Sequence, residues 1–214
     1  EVEYIDQVLN TELAYFPYAN KSFATAYIEE KKQHEILVLL DSDTLFLREP
    51  TQLWLPDPIN VAVRPVVKRN VCTTGPNDPY DKDWRLVCQH CQVDYDRLPF
   101  IETSGDQTLV KACYNGGLVV ARANKGIFKR WLECVDIVLR KSKRQNADQV
   151  SLSMAIWGVT EKVLMLDPVY NYPILGIDKP FKSSFQVNSS ESLVHIHYFR
   201  RFLSPNLVMN PLLQ

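Results

Sequence analysis

Ile36-Leu37-Val38-Leu39-Leu40-Asp41-Ser42-Asp43-Thr44 is the stretch on which the reading of this chain turns. Five consecutive apolar residues are too few for an ordinary helix and fit a strand. An unbroken apolar run, rather than an alternating one, predicts a strand covered on both faces, as in a parallel sheet flanked by helices. Two carboxylates follow at i and i+2, and an extended segment points both to the same side. Carboxylates so placed repel one another unless a cation lies between them. Hard oxygen ligands favour Mg²⁺ or Mn²⁺. Ligands of open α/β sheets collect at the carboxyl ends of strands, where this pair stands. The competing reading is a turn rich in Asp and Ser with a carboxylate capping a helix.

Working outward, residues 22–33 read as a helix with a Ser22 cap and Phe23, Tyr27 and Ile28 on one side. Residues 59–63 and 117–121 read as further strands. Residues 126–144 form the clearest amphipathic helix, with Phe128, Trp131, Leu132, Val135, Val138 and Leu139 at helical spacing. Residues 148–157 read as a short buried helix capped by Asp148 and ended by Gly158, and residues 162–166 and 193–197 as the last strands. Alternating strands and helices predict the α/β class with a mostly parallel sheet flanked by helices. Residues 68–102 carry Gly75-Pro76-Asn77-Asp78-Pro79 and many charges with little periodicity, so they read as a long irregular excursion of functional use.

The 214 residues fit one domain, with 24 Lys+Arg against 25 Asp+Glu and 46% hydrophobic residues. A formal net charge of -1 argues against a nucleic-acid binder working by bulk positive charge and against a polybasic membrane-surface protein. No apolar run approaches the ~18–20 residues that cross a bilayer. The chain starts at Glu1 rather than Met, which reads as a processed chain or a piece of a longer one. Five cysteines are an odd number for a disulfide framework. Cys88-Gln89-His90-Cys91 is a CxxC pair, for which zinc would need Cys72 and His90 as further ligands. A local disulfide or redox pair and plain free thiols are the other readings, and free thiols are favoured. The sequons at Asn20 and Asn188 matter only in a secretory compartment, and a cytoplasmic chain is expected over a lumenal one.

Three more constellations carry possible chemistry. Tyr114-Asn115-Gly116-Gly117 leads into a strand, where paired glycines let backbone approach a ligand and an Asn offers donor and acceptor atoms. The plain alternative is a turn. Asp148-Gln149 opens the short helix, with an ordinary N-cap as the alternative; Asp106-Gln107 repeats the dipeptide elsewhere. His195-Ile196-His197-Tyr198 puts both imidazoles on one strand face, to hold a metal or to sit satisfied in the core, and Arg200-Arg201 follow as phosphate partners or as a solvated turn.

The order of these pieces, strand–DxD, NGG–strand, DQ–helix and a late HY, resembles the glycosyltransferases of the GT-A fold, most of all the family 8 type. The resemblance runs from about residue 14 to residue 202. Residues 36–44 are similar to the family's apolar strand and metal motif, and residues 114–121 to its Asn-Gly segment lining the donor site. Asp148-Gln149 takes the family's position in preference to Asp106-Gln107, and His197-Tyr198 matches the late His-aromatic pair in preference to His195. Phe199-Arg200-Arg201-Phe202 stands where the family has a Gly and a Lys-Pro-Trp-like stretch.

The resemblance implies a single GT-A-like (Rossmann-like) catalytic domain over residues 1–214, lacking the usual N-terminal β-α-β unit because only about 35 residues precede the DxD strand. It implies transfer of a sugar from a nucleotide-sugar to a glycan, small-molecule or protein acceptor, with retention of configuration expected. Asp41, Asp43 and His197 are implied as ligands of Mn²⁺ or Mg²⁺. Asp41, Arg64, Asn115, Gly116, Gly117, Arg200 and Arg201 are implied on the donor side, Asp148 and Gln149 at the sugar as catalytic residues, and residues 68–102 on the acceptor side. The rival readings are a non-catalytic sugar- or nucleotide-binding or scaffolding relative, a metal-dependent nucleotidyltransferase, for which no early Gly-rich loop is visible, and a metal-dependent hydrolase, for which no nucleophile and base are paired.

Overall fold

The computed structural model describes residues 2–142, 146–174 and 192–198. Its elements are α1 (Asn20–Lys31), β1 (Ile36–Leu40), β2 (Thr44–Phe46), β3 (Val61–Pro65), α2 (Asp81–His90), β4 (Phe100–Glu102), β5 (Leu109–Lys111), β6 (Tyr114–Arg122), α3 (Ile127–Ser142), α4 (Ala147–Val159), β7 (Val163–Met165), β8 (Tyr172–Pro173) and β9 (His195–His197). The class is α/β, as expected. Among the described residues no strand precedes β1.

The main sheet has the order β1-β6-β3-β7. Here the expectation of a mostly parallel sheet needs correction at the level of pairing. β3 and β7 pair in parallel, but β6 pairs antiparallel with both β1 and β3. So β1, β3 and β7 point one way and β6 is inserted against them. A continuous apolar run reports burial on two faces and says nothing of direction. The chain leaves β3 at its carboxyl end for the excursion and comes back into the sheet from that end, so β6 has to run in reverse. β6 is also the strand that is buried almost throughout, with Leu118, Val119, Val120 and Ala121 all at 0% exposure. β1 is instead an edge among the described strands, and Val38 and Leu40 on its outer face are 42% and 38% exposed. The apolar run that was expected to be covered on both faces is therefore covered on one.

One sheet face, with Leu37, Val61, Val63, Val119 and Ala121, joins the core with Phe128, Trp131, Val135, Leu152 and Ile156 of α3 and α4. The other face, with Ala62, Leu118 and Val120, packs on Leu55, Leu166 and Tyr170. α3 buries the residues its periodicity points to, Phe128, Trp131, Val135, Val138 and Leu139, along with Ile127 and Cys134. α1 is tied to it by Glu29, whose two carboxylate oxygens accept from the backbone N–H groups of Phe128 at 3.2 Å and Lys129 at 2.7 Å, orphan donors of the first turn of α3. α1 itself starts at Asn20, earlier than expected. Ser22 Oγ bonds back to Ala19 O at 2.8 Å instead of capping, and Lys32 ends the helix in the left-handed conformation. α4 begins after Asn146, so Asp148 lies inside its first turn, and it continues through Gly158 to Val159.

The excursion is less irregular than its composition indicated. It contains α2, which buries Trp84, Val87 and Cys88 at helical spacing. Asp81 anchors it through Arg85 at 2.8 Å, Thr73 at 3.1 Å and the Tyr95 hydroxyl. The CxxC pair sits at the C-terminal end of α2 and its cap. All five cysteines are buried and none forms a disulfide. No described helix is long and apolar enough to cross a membrane.

A second sheet, β2-β9-β8, crosses the carboxyl end of β1. β2 leaves directly from the Asp pair and runs antiparallel to β9, with Thr44 opposite His197 and Phe46 opposite His195. This register brings a segment from the far end of the chain to the DxD turn, and Tyr198 N donates to Asp43 O at 3.0 Å to close the junction.

Candidate metal and donor site

The turn after β1 is set by Thr44 Oγ1, which donates to Asp41 O at 2.8 Å, and by Asp41 N, which donates to Gly117 O at 2.9 Å. Within it the Asp41 and Asp43 carboxylates face His197. His197 Nε2 lies 3.0 Å from Asp43 Oδ1 and 3.9 Å from Asp41 Oδ2. One ligand atom from each of the three residues lies within 4.8 Å of the others, and among the described residues this is the one group of three or more His, Cys, Asp or Glu side chains so arranged. Adjacent ligands of an octahedral ion bound at ~2.1 Å stand ~3 Å apart, so the spacing suits a divalent ion. Two carboxylates and an imidazole, with no thiolate, are a donor set for a hard or borderline divalent ion. His197 is buried, which lowers its pKa, and the Asp43 and Asp41 charges oppose that effect. A largely neutral imidazole is the form that ligates.

The glycine pair of the NGG segment has unequal roles. A Cβ on Gly117 would lie 2.8 Å from Asp41 Oδ2, 3.0 Å from Asn115 Oδ1 and 3.1 Å from Asn171 Nδ2. Only hydrogen fits between these polar groups, so Gly117 is what lets β6 approach the Asp pair. A Cβ on Gly116 would meet the Trp131 ring at an ordinary 3.6 Å. Trp131 Nε1 in turn donates to Asp148 O at 2.9 Å, which fixes the start of α4 against β6. Asp148 is 8% exposed and burial raises its pKa, with the Lys21 charge working to lower it and Asp41 to raise it further. Asp148 therefore shares an electrostatic neighbourhood with the acidic pair. Gln149 follows it, half-buried.

Arg64 is at the carboxyl end of β3 opposite Asn115, but its guanidinium is buried. Nη1 donates to the carbonyls of Tyr170 at 2.9 Å and Asn171 at 2.5 Å, and burial lowers its pKa to about 10. It clamps the turn before β8. Asp106-Gln107 lies in the β4–β5 connection, where Asp106 bonds Thr103 and Arg69 N, away from this cluster. His195 faces inward too. Its Nδ1 accepts from Asn171 N at 3.1 Å, its ring lies 4.5 Å from that of Phe46, and burial and the nearby His197 charge lower its pKa to about 4. Arg200 and Arg201 fall outside the described residues.

Two residues join the cluster that the sequence pattern did not single out. Lys21, in the first turn of α1, sets its Nζ 2.5 Å from Asp41 Oδ1. Asn171, 2% exposed, donates from Nδ2 to Asn115 Oδ1 at 3.0 Å. A lone Lys on a helix and a lone Asn after a turn carry no spacing signal. The positive φ of 47° at Asn171 is the feature that marks it, and only in three dimensions.

Comparisons with known structures return glycosyltransferases. Mouse xyloside xylosyltransferase 1 is 13% identical at a TM-score of 0.47, over 84% of this chain and 64% of that one. The bifunctional glycosyltransferase WbbM is 14% identical at a TM-score of 0.49, over 83% of this chain and 31% of that one. The galactosyltransferase LgtC, solved with donor and acceptor sugar analogues, is 17% identical at a TM-score of 0.47, over 82% of this chain and 57% of that one. The chain thus spans less than two thirds of the length of each. No curated protein matches it. Residues 2–159 match the family model described as the Rhodobacterales glycosyltransferase domain, and the chain belongs to that glycosyltransferase family.

Proposed function

We propose that this chain forms the catalytic part of a metal-dependent glycosyltransferase of the GT-A type, which moves a sugar from a nucleotide-sugar to an acceptor with retention of configuration. The observation that carries this reading is the convergence of Asp41, Asp43 and His197 from two ends of the chain onto one point. Mn²⁺ or Mg²⁺ at that point supplies Lewis-acid stabilisation of the diphosphate leaving group. The residues of the chain do the rest. Asp41 and Asp43 hold the cation side of the donor, Lys21 adds a positive charge beside it, and Asn115 with Gly117 shapes the sugar side. Asp148, with its raised pKa and its place beside Asp41, faces the sugar as a carboxyl whose ionisation is sensitive to the charges brought in by the donor. Residues 68–102, held firmly by α2, form the acceptor side.

The test is Mn²⁺-dependent hydrolysis of a panel of UDP-, GDP- and CMP-sugars. Turnover is expected with one or a few members of the panel, abolished by EDTA and restored by Mn²⁺. Asp43→Ala is expected to remove it. Undiminished hydrolysis in Asp43→Ala, or in EDTA, would reject the metal-dependent mechanism.

A further inference from the structure

Asn115 is half-buried at the mouth of the site, and the orientation of its carboxamide is fixed. Its Oδ1 accepts two hydrogen bonds, from Gly117 N at 2.8 Å and from Asn171 Nδ2 at 3.0 Å. Two donors fill the two lone pairs of a carboxamide oxygen. Turning the amide over would break both bonds and set NH₂ against two N–H groups. The Asn115 NH₂ therefore points away from both donors, and among the described residues it has no hydrogen-bond partner.

Asn171 is held for this task from several directions. Its backbone N–H donates to His195 Nδ1 at 3.1 Å, on the strand that carries His197. Its backbone carbonyl accepts from Arg64 Nη1 at 2.5 Å. Its Nδ2 lies 3.1 Å from where a Gly117 Cβ would be, so it shares with Asp41 the space that Gly117 leaves open. Its φ of 47° is one that Gly, Asn and Asp adopt at low cost. Of those three, only Asn brings an N–H donor to Asn115 Oδ1. Asp would set an acceptor against an acceptor, and Gly would leave nothing there.

We propose that Asn171 is a positioning residue of the donor site, which fixes the Asn115 carboxamide so that its NH₂ group is presented to an oxygen of the donor sugar. The inference rests on the donor-site reading of Asn115 given above. Asn171 acts through Asn115 and touches no substrate atom itself.

The experiment is a double-mutant cycle of Asn171→Asp and Asn171→Gly, each alone and combined with Asn115→Ala, read as KM and kcat for whichever nucleotide-sugar of the panel the protein hydrolyses best with Mn²⁺. Each Asn171 variant alone is expected to raise KM by roughly three- to tenfold, the size of one lost neutral hydrogen bond, with kcat changed less. In the Asn115→Ala background the same variants are expected to have no further effect. Equal effects in both backgrounds would make Asn171 a merely structural residue and overturn the proposal. If the native protein hydrolyses no member of the panel, the functional reading fails separately, and the positioning claim is decided by the side-chain amide NMR signals of ¹⁵N-labelled Asn115. Their displacement in Asn171→Gly supports the claim, and unchanged signals overturn it.

Discussion

The Lys21 ammonium lies 2.5 Å from Asp41 Oδ1, so the acidic pair already holds a cation supplied by the protein itself. Both partners are mostly shielded, with side-chain exposures of 24% and 14%. A divalent ion entering between Asp41 and Asp43 would meet this ammonium at close range. At ~5–6 Å and water-like screening the repulsion is about 1–2 kcal/mol. Lys21→Met is therefore expected to bind Mn²⁺ roughly tenfold more tightly than the native chain by calorimetry, even though it loses a positive charge useful for a diphosphate. Equal or weaker Mn²⁺ binding in the variant would show that Lys21 does not contend with the metal for Asp41.

Gly117→Ala tests how close the β6 backbone must come to the Asp pair. The added methyl would stand 2.8 Å from Asp41 Oδ2 and within 3.1 Å of both Asn115 and Asn171. None of the three can swing into solvent freely, because each is bonded to another part of the site. Overpacking of this kind costs about 1–3 kcal/mol. The expected outcome is a thermally weaker protein whose Mn²⁺ affinity falls at least tenfold. Gly116→Ala, with a 3.6 Å contact to Trp131, is expected to leave Mn²⁺ binding unchanged. Matching behaviour of the two variants would remove the special role given to Gly117.

What could be read in the sequence follows from how local each signal is. The DxD turn, the NGG segment and α3 each declare themselves within a dozen residues, and their places in the fold follow. The reversal of β6 does not, because an apolar run is the same read in either direction. The exposure of Val38 and Leu40 does not either, since hydropathy records what a strand tolerates rather than what covers it. Strand alternation offered His195 and His197 together, and only likeness to a family pattern preferred His197. The β2–β9 register that carries it to Asp43 joins residues far apart in the chain. Lys21 and Asn171 were hidden for the same reason. Each acts through one contact with a distant residue, and neither has a neighbour at a telling interval. Arg64 shows the converse. A charged residue at a strand end looks exposed in sequence, yet Arg64 is buried and its Nη1 donates to two backbone carbonyls.

The cysteines give a prediction about chemical reactivity. All five are buried as free thiols. Burial pushes the Cys88 pKa up to about 12, and Cys134 is raised by its hydrogen bond with Cys91 and by burial; the same bond lowers Cys91, but that thiol is fully buried and out of reach of a reagent. A thiol reacts as its thiolate, so the native protein is expected to be nearly inert to Ellman's reagent at neutral pH. All five thiols are expected to be titrated once guanidinium unfolds the chain without reductant. A denatured count two short would reveal a disulfide under those conditions, and fast labelling of the native state would mean that the α2 region opens readily.

The contact of Glu29 with the start of α3 gives the clearest pH dependence. Burial raises its pKa above the ordinary 4.5, and the hydrogen bonds from Lys129 and Phe128 offset part of that rise. The folded chain therefore holds this proton more tightly than the unfolded chain does. By linkage, the stability so gained is fully present below the unfolded pKa and is lost as pH rises through the higher folded value. Glu29→Gln keeps the shape and cannot titrate. The native melting temperature minus that of Glu29→Gln is thus expected to fall as pH rises upward from the ordinary carboxylate range, and to level off once Glu29 is ionised in the folded chain as well. Differential scanning calorimetry across that range reads it directly. A difference that instead grew with pH would mean that the α3 N-terminus holds the carboxylate more strongly than burial opposes it, and that Glu29 is an anionic cap whose ionised form stabilises the α1–α3 contact.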